Sequence, residues 1–156
     1  MKKSIITLVL AITSLSIFAA SVDKSEHIEF VLTDNGITFV NNLRHGINNN
    51  LVAVNNSGEK HVFNKEDVKI FRKGGKEFHR RYVVEEGSQV VKKEFLQLIY
   101  TRSGYSFYKR ANKTNENLGL NDYFVYKNET QKYQLNENNY KSILSFFFPK
   151  YNLLYS

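Results

Sequence analysis

Residues 68–84 read VKIFRKGGKEFHRRYVV, and this stretch decides the fold. Two runs rich in Val, Ile, Phe and Tyr flank Gly74-Gly75, and glycine adopts the positive φ that a two-residue hairpin turn requires. The sequence therefore predicts an antiparallel hairpin between residues 68–73 and 76–85. Side chains alternate along a strand, so the second run divides into two sets. The set expected to face the core is Phe78, Arg80, Tyr82 and Val84, and the set expected to face away is Glu77, His79, Arg81 and Val83.

Further strands are predicted on both sides of the hairpin. Turn signals such as Asp34-Asn35-Gly36 and Ser103-Gly104 recur at short intervals between apolar runs. The runs that read as strands are 28–33, 37–40, 51–54, 61–64, 90–102, 105–110, 122–127 and 130–135. The longest of them is apolar on both faces in its middle, which favours a central strand with Phe95, Leu96, Leu98 and Ile99 buried.

The spacing of apolar residues changes from a strand-like to a helical period near the C-terminus. Apolar residues at i, i+3, i+4 and i+7 predict a short helix, with an asparagine as N-cap and a proline ending it at Phe148. The stripe is Tyr140, Ile143, Leu144 and Phe147, the candidate N-caps are Asn136 and Asn138, and the proline is Pro149. Residues 111–121 read as a loop and 151–155 as an edge strand. The fold class predicted is mostly β, an antiparallel meander of seven to nine strands forming a sandwich or curled sheet, with one short C-terminal helix.

Residues 1–21 are predicted to be a secretory signal peptide. Lys2 and Lys3 precede an apolar run over 5–18, and Ala19-Ala20-Ser21 supplies the small residues of a cleavage site. An uncleaved anchor is the alternative, but the run is shorter than the ~20 residues that span a bilayer. We expect one β-rich domain over 22–156. The chain has no Cys, so a lipoprotein, disulfides and thiolate metal sites are excluded.

Export and charge limit the partners. The predicted location is periplasmic, extracellular or peripheral to an outer membrane, and no transmembrane segment is expected in the mature chain. The formal net charge of +7 includes Lys2 and Lys3 and falls to +5 without them. This bias is too mild to indicate nucleic-acid binding, and A/T-rich codons account for much of it.

The basic residues around Gly74-Gly75 are the candidate binding site. They are Arg72, Lys73, Lys76, Arg80 and Arg81. Cations interleaved with aromatic rings suit an anionic polymer of the envelope, and another envelope protein is the other partner considered. The alternative is that basic side chains protect sheet edges against aggregation.

The sequence contains no clear motif for a catalytic nucleophile or a metal site. Ser57 and Ser103 precede Gly without forming a nucleophile elbow, and the four His residues have no local metal-binding spacing. A cross-strand site from His61, His79 and Glu77 is the remaining metal hypothesis. We therefore assign no catalytic residue, no metal and no cofactor.

Several stretches together resemble a family of exported proteins. Residues 67–83, 94–100 and 122–127, followed by a helix ending in Phe-Phe-Phe-Pro at 146–149, resemble small exported β-rich proteins of unknown function from Bacteroidota-type bacteria. The resemblance covers about residues 60–150 and implies no functional residue. The function expected first is a non-enzymatic exported protein that acts by binding or structural assembly. The alternatives are a module that binds an anionic glycan or lipid through the basic hairpin, and a hydrolase with a dispersed site.

Overall fold

The structure, a computed structural model, describes residues 28–46, 50–54, 57–111 and 117–149. The predicted signal peptide, the predicted strand over 151–155 and part of the predicted loop over 111–121 lie outside these ranges. The described residues form eleven strands and one α-helix. In chain order these are β1 (Glu29–Thr33), β2 (Gly36–Val40), β3 (Leu43–His45), β4 (Leu51–Val54), β5 (Lys60–Phe63), β6 (Val68–Lys73), β7 (Lys76–Val84), β8 (Val91–Arg102), β9 (Tyr105–Arg110), β10 (Tyr123–Lys127), β11 (Thr130–Gln134) and α1 (Tyr140–Phe147).

The strands form two antiparallel sheets. The large sheet has the order β11-β10-β9-β8-β7-β6-β1-β2, and the small sheet has the order β3-β4-β5. The large sheet is therefore a meander from β6 to β11, extended at one side by the β1–β2 hairpin. The predicted fold class is confirmed, with more strands than the seven to nine expected. Strand β3 is the one that sequence reasoning missed, because three residues are too few to show a period.

The hairpin from β6 to β7 is as predicted. Lys73 pairs with Lys76, and Gly74 and Gly75 have φ of 54° and 73°. This left-handed backbone is the conformation that favours glycine.

Strands β7 to β11 curve round so that β10 and β11 come close to β7. This curved part of the large sheet is here called the curl. Strand β6 pairs with β7 only as far as His79, so the outer edge of residues 80–84 has no strand beside it. Side chains take its backbone groups instead: the Tyr126 hydroxyl donates to Tyr82 O at 2.7 Å, and the Gln131 amide bonds both Val84 N and Val84 O, at 3.0 and 2.8 Å. The sheet stays open, but side chains join the two ends of the curl.

The buried apolar residues form three clusters. The first lies between the small sheet and the β1–β6 part of the large sheet and includes Leu51 and Phe71. The second lies inside the curl and includes Leu96 and Tyr108. The third lies between α1 and the other face of β9 and β10, and it includes Phe107.

This arrangement corrects the predicted facing of β7. Val83 and His79, expected to face away, are buried, whereas Tyr82, expected to face the core, is 58% exposed. Phe78 does pack against the first cluster. The reason is that both faces of β7 are covered, one by the small sheet and the other by the curl, so no single face is the inner one.

Strand β8 is central, as predicted, but its expected burial is only partly right. Leu96 is fully buried, Phe95 and Leu98 are half-buried, and Ile99 is exposed. The pairing of β8 with β9 shifts between Leu98 and Tyr100. A bulge of this kind breaks the alternation of faces, which the sequence pattern assumes to be regular.

Helix α1 begins and ends where the apolar stripe predicts. Asn139 holds the N-cap position but makes no capping bond with its side chain. The predicted cap Asn136 acts one turn earlier, where its Oδ1 accepts from the N–H groups of Asn138 and Asn139 at 3.0 and 3.1 Å.

Candidate functional site

The structure does not gather the predicted cations of the hairpin into one surface. Register places Lys73 opposite Lys76, and Arg72 opposite Glu77. Because faces alternate, Lys73, Lys76 and Arg80 lie on the small-sheet face, and Arg72 and Arg81 lie on the curl face.

All three of these arginines have a carboxylate partner, and Arg81 Nη1 lies 4.0 Å from Glu129. Arg72 contacts Glu77 at 2.9 Å. The Arg80 side chain is only 6% exposed, contacts Glu66, and donates to Lys65 O at 2.7 Å. Partnered side chains of this kind hold the fold together and leave little charge for a ligand. Lys73 and Lys76 have no carboxylate partner among the described residues.

A polar network that includes His79 lies at one end of the curl. His79 Nε2 is 2.6 Å from Glu77, and its Nδ1 is 2.8 Å from the Tyr108 hydroxyl and 3.0 Å from Arg81 Nη2. Burial alone would raise the pKa of the Glu77 carboxyl, but hydrogen bonds and charge from His79 and Arg72 outweigh it, so the pKa lies below the ordinary value of 4.5. Burial also raises the pKa of the Tyr108 hydroxyl. Because the ionised Glu77 carboxylate can only accept, its contact with His79 requires a hydrogen on Nε2.

The hydrogen-bonding groups of His79 are all used within this network. Both ring nitrogens of His79 have partners, and neither Ser57 nor Ser103 is one of them. A general base must reach the proton that it removes. The His79 network is thus suited to orient strands β7 and β9, and sequence reasoning missed it because it expected His79 to face away.

A second polar cluster lies around Arg110. Its guanidinium is 2.6 Å from Glu85, 3.3 Å from Glu94 and 3.2 Å from the fully buried Asp122. A hydrogen bond from Gln134, followed by those from Arg110, lowers the pKa of the Glu85 carboxyl. Three carboxylates converge here, but each of them contacts the Arg110 guanidinium, so their charge is already partly neutralised within the fold.

A concave surface lies between α1 and strands β9 to β11 and is here called the helix groove. Its volume is about 330 Å³. The floor consists of Val125, Ile143 and Phe147, which are buried. The side walls carry aromatic and polar groups, namely Tyr105, Tyr133, Phe146, Asn139 and Ser142. Of the described residues that line it, none carries a carboxylate or an imidazole.

Two cations contact the aromatic walls of this groove. Lys127 Nζ lies 5.3 Å from the centre of the Tyr105 ring, and the Arg102 guanidinium lies 5.4 Å from that of Phe146. Arg102 also donates to Phe146 O. The groove was not predicted from the sequence. The available signal was Phe146, an aromatic residue outside the apolar stripe of the helix.

A second hollow of about 280 Å³ lies between β2 and the small sheet. Phe39, Glu59, Lys60 and His61 are among its lining residues. The His61 ring packs against Phe63, with 4.5 Å between ring centres. His61 therefore does not meet His79 and Glu77 in the cross-strand metal site hypothesised above, since those two belong to the curl.

Comparison with known proteins gives no match: no family model, no curated protein and no solved structure is similar to this chain. In the part of the chain that the structure describes, no helix is long and apolar enough to cross a membrane. The same residues include no group of three or more His, Asp or Glu side chains placed to hold a metal ion.

Proposed function

We propose that this chain is an exported, non-enzymatic binding protein that holds its ligand in the helix groove. The observation that carries the proposal is the composition of that groove, with exposed aromatic walls over an apolar floor. Binding sites for small ligands combine apolar and aromatic lining with a few polar groups, in volumes of roughly 300–1,000 Å³. Asn139 and Ser142 are polar groups of this kind.

The exported location rests on the amino-acid pattern of residues 1–21. A protein outside the cytoplasm meets envelope polymers, their fragments and other envelope proteins. A groove of about 330 Å³ suits a short segment of such a molecule better than it suits a protein surface. Binding is therefore favoured over structural assembly.

Chemical-shift mapping of the mature chain, from Val22, tests the groove. The probes are chitotetraose, tetragalacturonate, its methyl ester and the apolar dye N-phenyl-1-naphthylamine. At least one should shift the amides of Ile143 and Phe146 on α1 and of Tyr133 on β11. No shift at these amides with any probe would contradict the proposal.

A groove-blocking variant gives the control. Ser142 is an exposed residue of α1, so Ser142→Trp should fill the groove without disturbing the core and should abolish the shifts. Ser145→Trp, one turn further along the same helix and outside the lining of the groove, should leave them unchanged.

The hydrolase alternative predicts a different outcome. General acid–base catalysis needs groups that exchange protons near the working pH, and the described lining of the groove holds neither a carboxylate nor an imidazole. Mass spectrometry should therefore recover the oligosaccharide probes intact after long incubation. Shortened products that disappear in Ser142→Trp would identify an enzyme.

Binding of an anionic glycan or lipid through the basic hairpin is the second candidate, and Lys73 and Lys76 favour it because neither has a carboxylate partner among the described residues. Binding of this type weakens with salt as counterions are released. The variant Lys73→Ser/Lys76→Ser should then leave a heparin column at lower salt, with an unchanged thermal midpoint. Elution at the wild-type salt concentration would remove the hairpin as a site.

A further inference from the structure

The two cations beside the helix groove share one row of the sheet. Arg102 pairs with Tyr105, and Tyr105 pairs with Lys127. Paired residues of neighbouring strands point to the same side, so Tyr105 stands between two positive charges on the face that α1 covers. Of these three residues Tyr105 lines the groove, and the two cations contact its lining rings.

These two charges are not neutralised within the described structure. Neither Arg102 nor Lys127 forms an ion pair with a described carboxylate, whereas Arg110, inside the curl, contacts three. Arg102 donates to Phe146 O, but a guanidinium has five N–H groups and keeps others free to donate. The pair therefore complements an acidic group placed between the two cations, near the edge of the Tyr105 ring, which carries partial positive charge.

The rings at the groove indicate what the acidic group is attached to. Phe146 and Tyr133 are 42% and 53% exposed, and the hydroxyls of Tyr105 and Tyr133 have no hydrogen-bond partner among the described residues. The C–H groups of a sugar face carry partial positive charge and pack on the negative face of an aromatic ring. The ring hydroxyls can bond the sugar hydroxyls. Asn139 and Ser142 already donate within the fold, to Gln134 O and to Asn139 O, so what they offer a ligand is a second amide N–H and the serine oxygen as acceptor.

A lipid tail fits the same groove less well. An acyl chain is stabilised by removal from water along its whole length. The helix groove is open to solvent and has polar groups on its walls, so a chain lying in it would remain partly wet beside groups that need hydrogen bonds.

From these observations we infer that the ligand is an acidic oligosaccharide, whose sugar faces pack on the aromatic walls of the helix groove and whose acidic group binds between Arg102 and Lys127. The inference rests on the proposed function and names the ligand class of the same site. It places the anion-binding residues on β8 and β10, away from the Gly74-Gly75 turn.

Isothermal titration of the mature chain with tetragalacturonate and with its methyl ester tests the role of charge, because the two oligomers share a backbone and differ in their carboxylates. The acid should bind at least about tenfold more tightly, the usual size of a hydrogen bond to a charged group. Its affinity should fall with added salt. Equal affinity of the two oligomers at the groove would overturn the inference and leave the proposed function standing.

Paired charge variants locate the anion. Arg102→Gln/Lys127→Gln should weaken binding of the acid at least about tenfold and leave the ester unaffected. Lys73→Gln/Lys76→Gln removes the same charge at the hairpin and should leave both affinities unchanged. Thermal midpoints of both variants verify folding, and Arg102→Lys/Lys127→Arg, which keeps the charges, should restore most of the affinity.

The remaining outcomes also decide the question. If the hairpin variant weakens the acid and the groove variant does not, the anion binds at the hairpin and the inference is wrong. If none of the four probes, chitotetraose and the apolar dye included, shifts the groove amides, the proposed function fails together with the inference.

Discussion

At the scale of single residues, the distinction between Leu96 and Leu98 is the sharpest consequence of the structure for stability. Leu96 is fully buried in the curl, and Leu98 is half-buried beside it. Leu96→Ala should lower the free energy of unfolding by about 2–5 kcal/mol, as large-to-small core substitutions do, and Leu98→Ala by less than about 2 kcal/mol. Urea denaturation of the two variants measures both values. Equal losses would mean that the bulge after Leu98 does not alter its packing.

The Glu77 carboxyl predicts a dependence of stability on pH. Burial works against its ionisation, but His79 and Arg72 outweigh burial and lower its pKa below 4.5. A carboxyl with a lowered pKa contributes stability above its unfolded pKa and loses it as the pH falls toward the folded value. The free energy of unfolding should therefore fall as the pH drops from about 5 to 3.

Glu77→Gln should remove part of that pH dependence and lower stability at neutral pH. Denaturation at a series of pH values measures the slope. Glu137→Gln, an exposed substitution with the same change of charge, is the control and should keep the wild-type slope. If Glu77→Gln keeps it too, the contacts of Glu77 with His79 and Arg72 do not form in solution.

At the scale of elements, the turn between β6 and β7 gives a prediction with a built-in control. The φ of 54° at Gly74 is costly for a residue with a Cβ, and Gly74→Ala should lower the free energy of unfolding by about 1–2 kcal/mol. Nothing lies within 4 Å of a Cβ added there, so the cost would come from the backbone alone. Gly74→Asn should cost clearly less, because Asn-Gly suits this turn. Thermal and urea unfolding compare the two.

The side-chain closure between β11 and β7 gives a second prediction at this scale. Gln131 bonds both Val84 N and Val84 O, so Gln131→Ala should speed hydrogen exchange of the Val84 amide. Exchange at Leu96, inside the curl, should change much less. Lys132→Ala, the exposed neighbour on β11, should leave the Val84 amide protected. Exchange followed by NMR distinguishes these outcomes.

The elements also show which sequence signals are reliable. The hairpin at Gly74-Gly75 and the helix stripe were predictable because each depends on neighbours in the chain. The facing of β7 was not, because the residues that bury Val83 and His79 inside the curl, Tyr108 and Tyr126 among them, come much later in the chain. The helix groove needs Tyr105, Tyr133 and Phe146 together, and only the tertiary fold brings them to one place.

At the scale of the whole molecule, the charge distribution differs from what the amino-acid order indicates. The basic residues crowd around one turn in the sequence, yet Arg72 and Arg80 are engaged by carboxylates from the same region. The unneutralised pair at the helix groove, Arg102 and Lys127, is separated by a whole hairpin in the chain. Clustering in sequence is therefore a poor guide to surface potential on a curled meander, where cross-strand partners decide which charges remain.

Export is the prediction that concerns the entire chain. If residues 1–21 are removed as the pattern around Ala19-Ala20-Ser21 indicates, mass spectrometry of the protein from its native cells should show a start at Val22 or within a few residues of it. The protein should be found outside the cytoplasm. Full-length chain in the cytoplasmic fraction would contradict both the signal and the envelope ligand.

The position of β7 between two cores has a consequence for how the sequence can change over generations. A strand with one solvent-exposed face tolerates substitution at every second position. On β7, however, Phe78 packs against the small sheet, and His79 and Val83 are buried inside the curl. Arg80 donates to Lys65 O on the small-sheet side, and Arg81 donates to the Tyr108 hydroxyl on the curl side. A saturation library should therefore show few tolerated substitutions from Phe78 to Val83, except at the exposed Tyr82. Related sequences would then be aligned most securely on this strand, because it tolerates the fewest substitutions per residue.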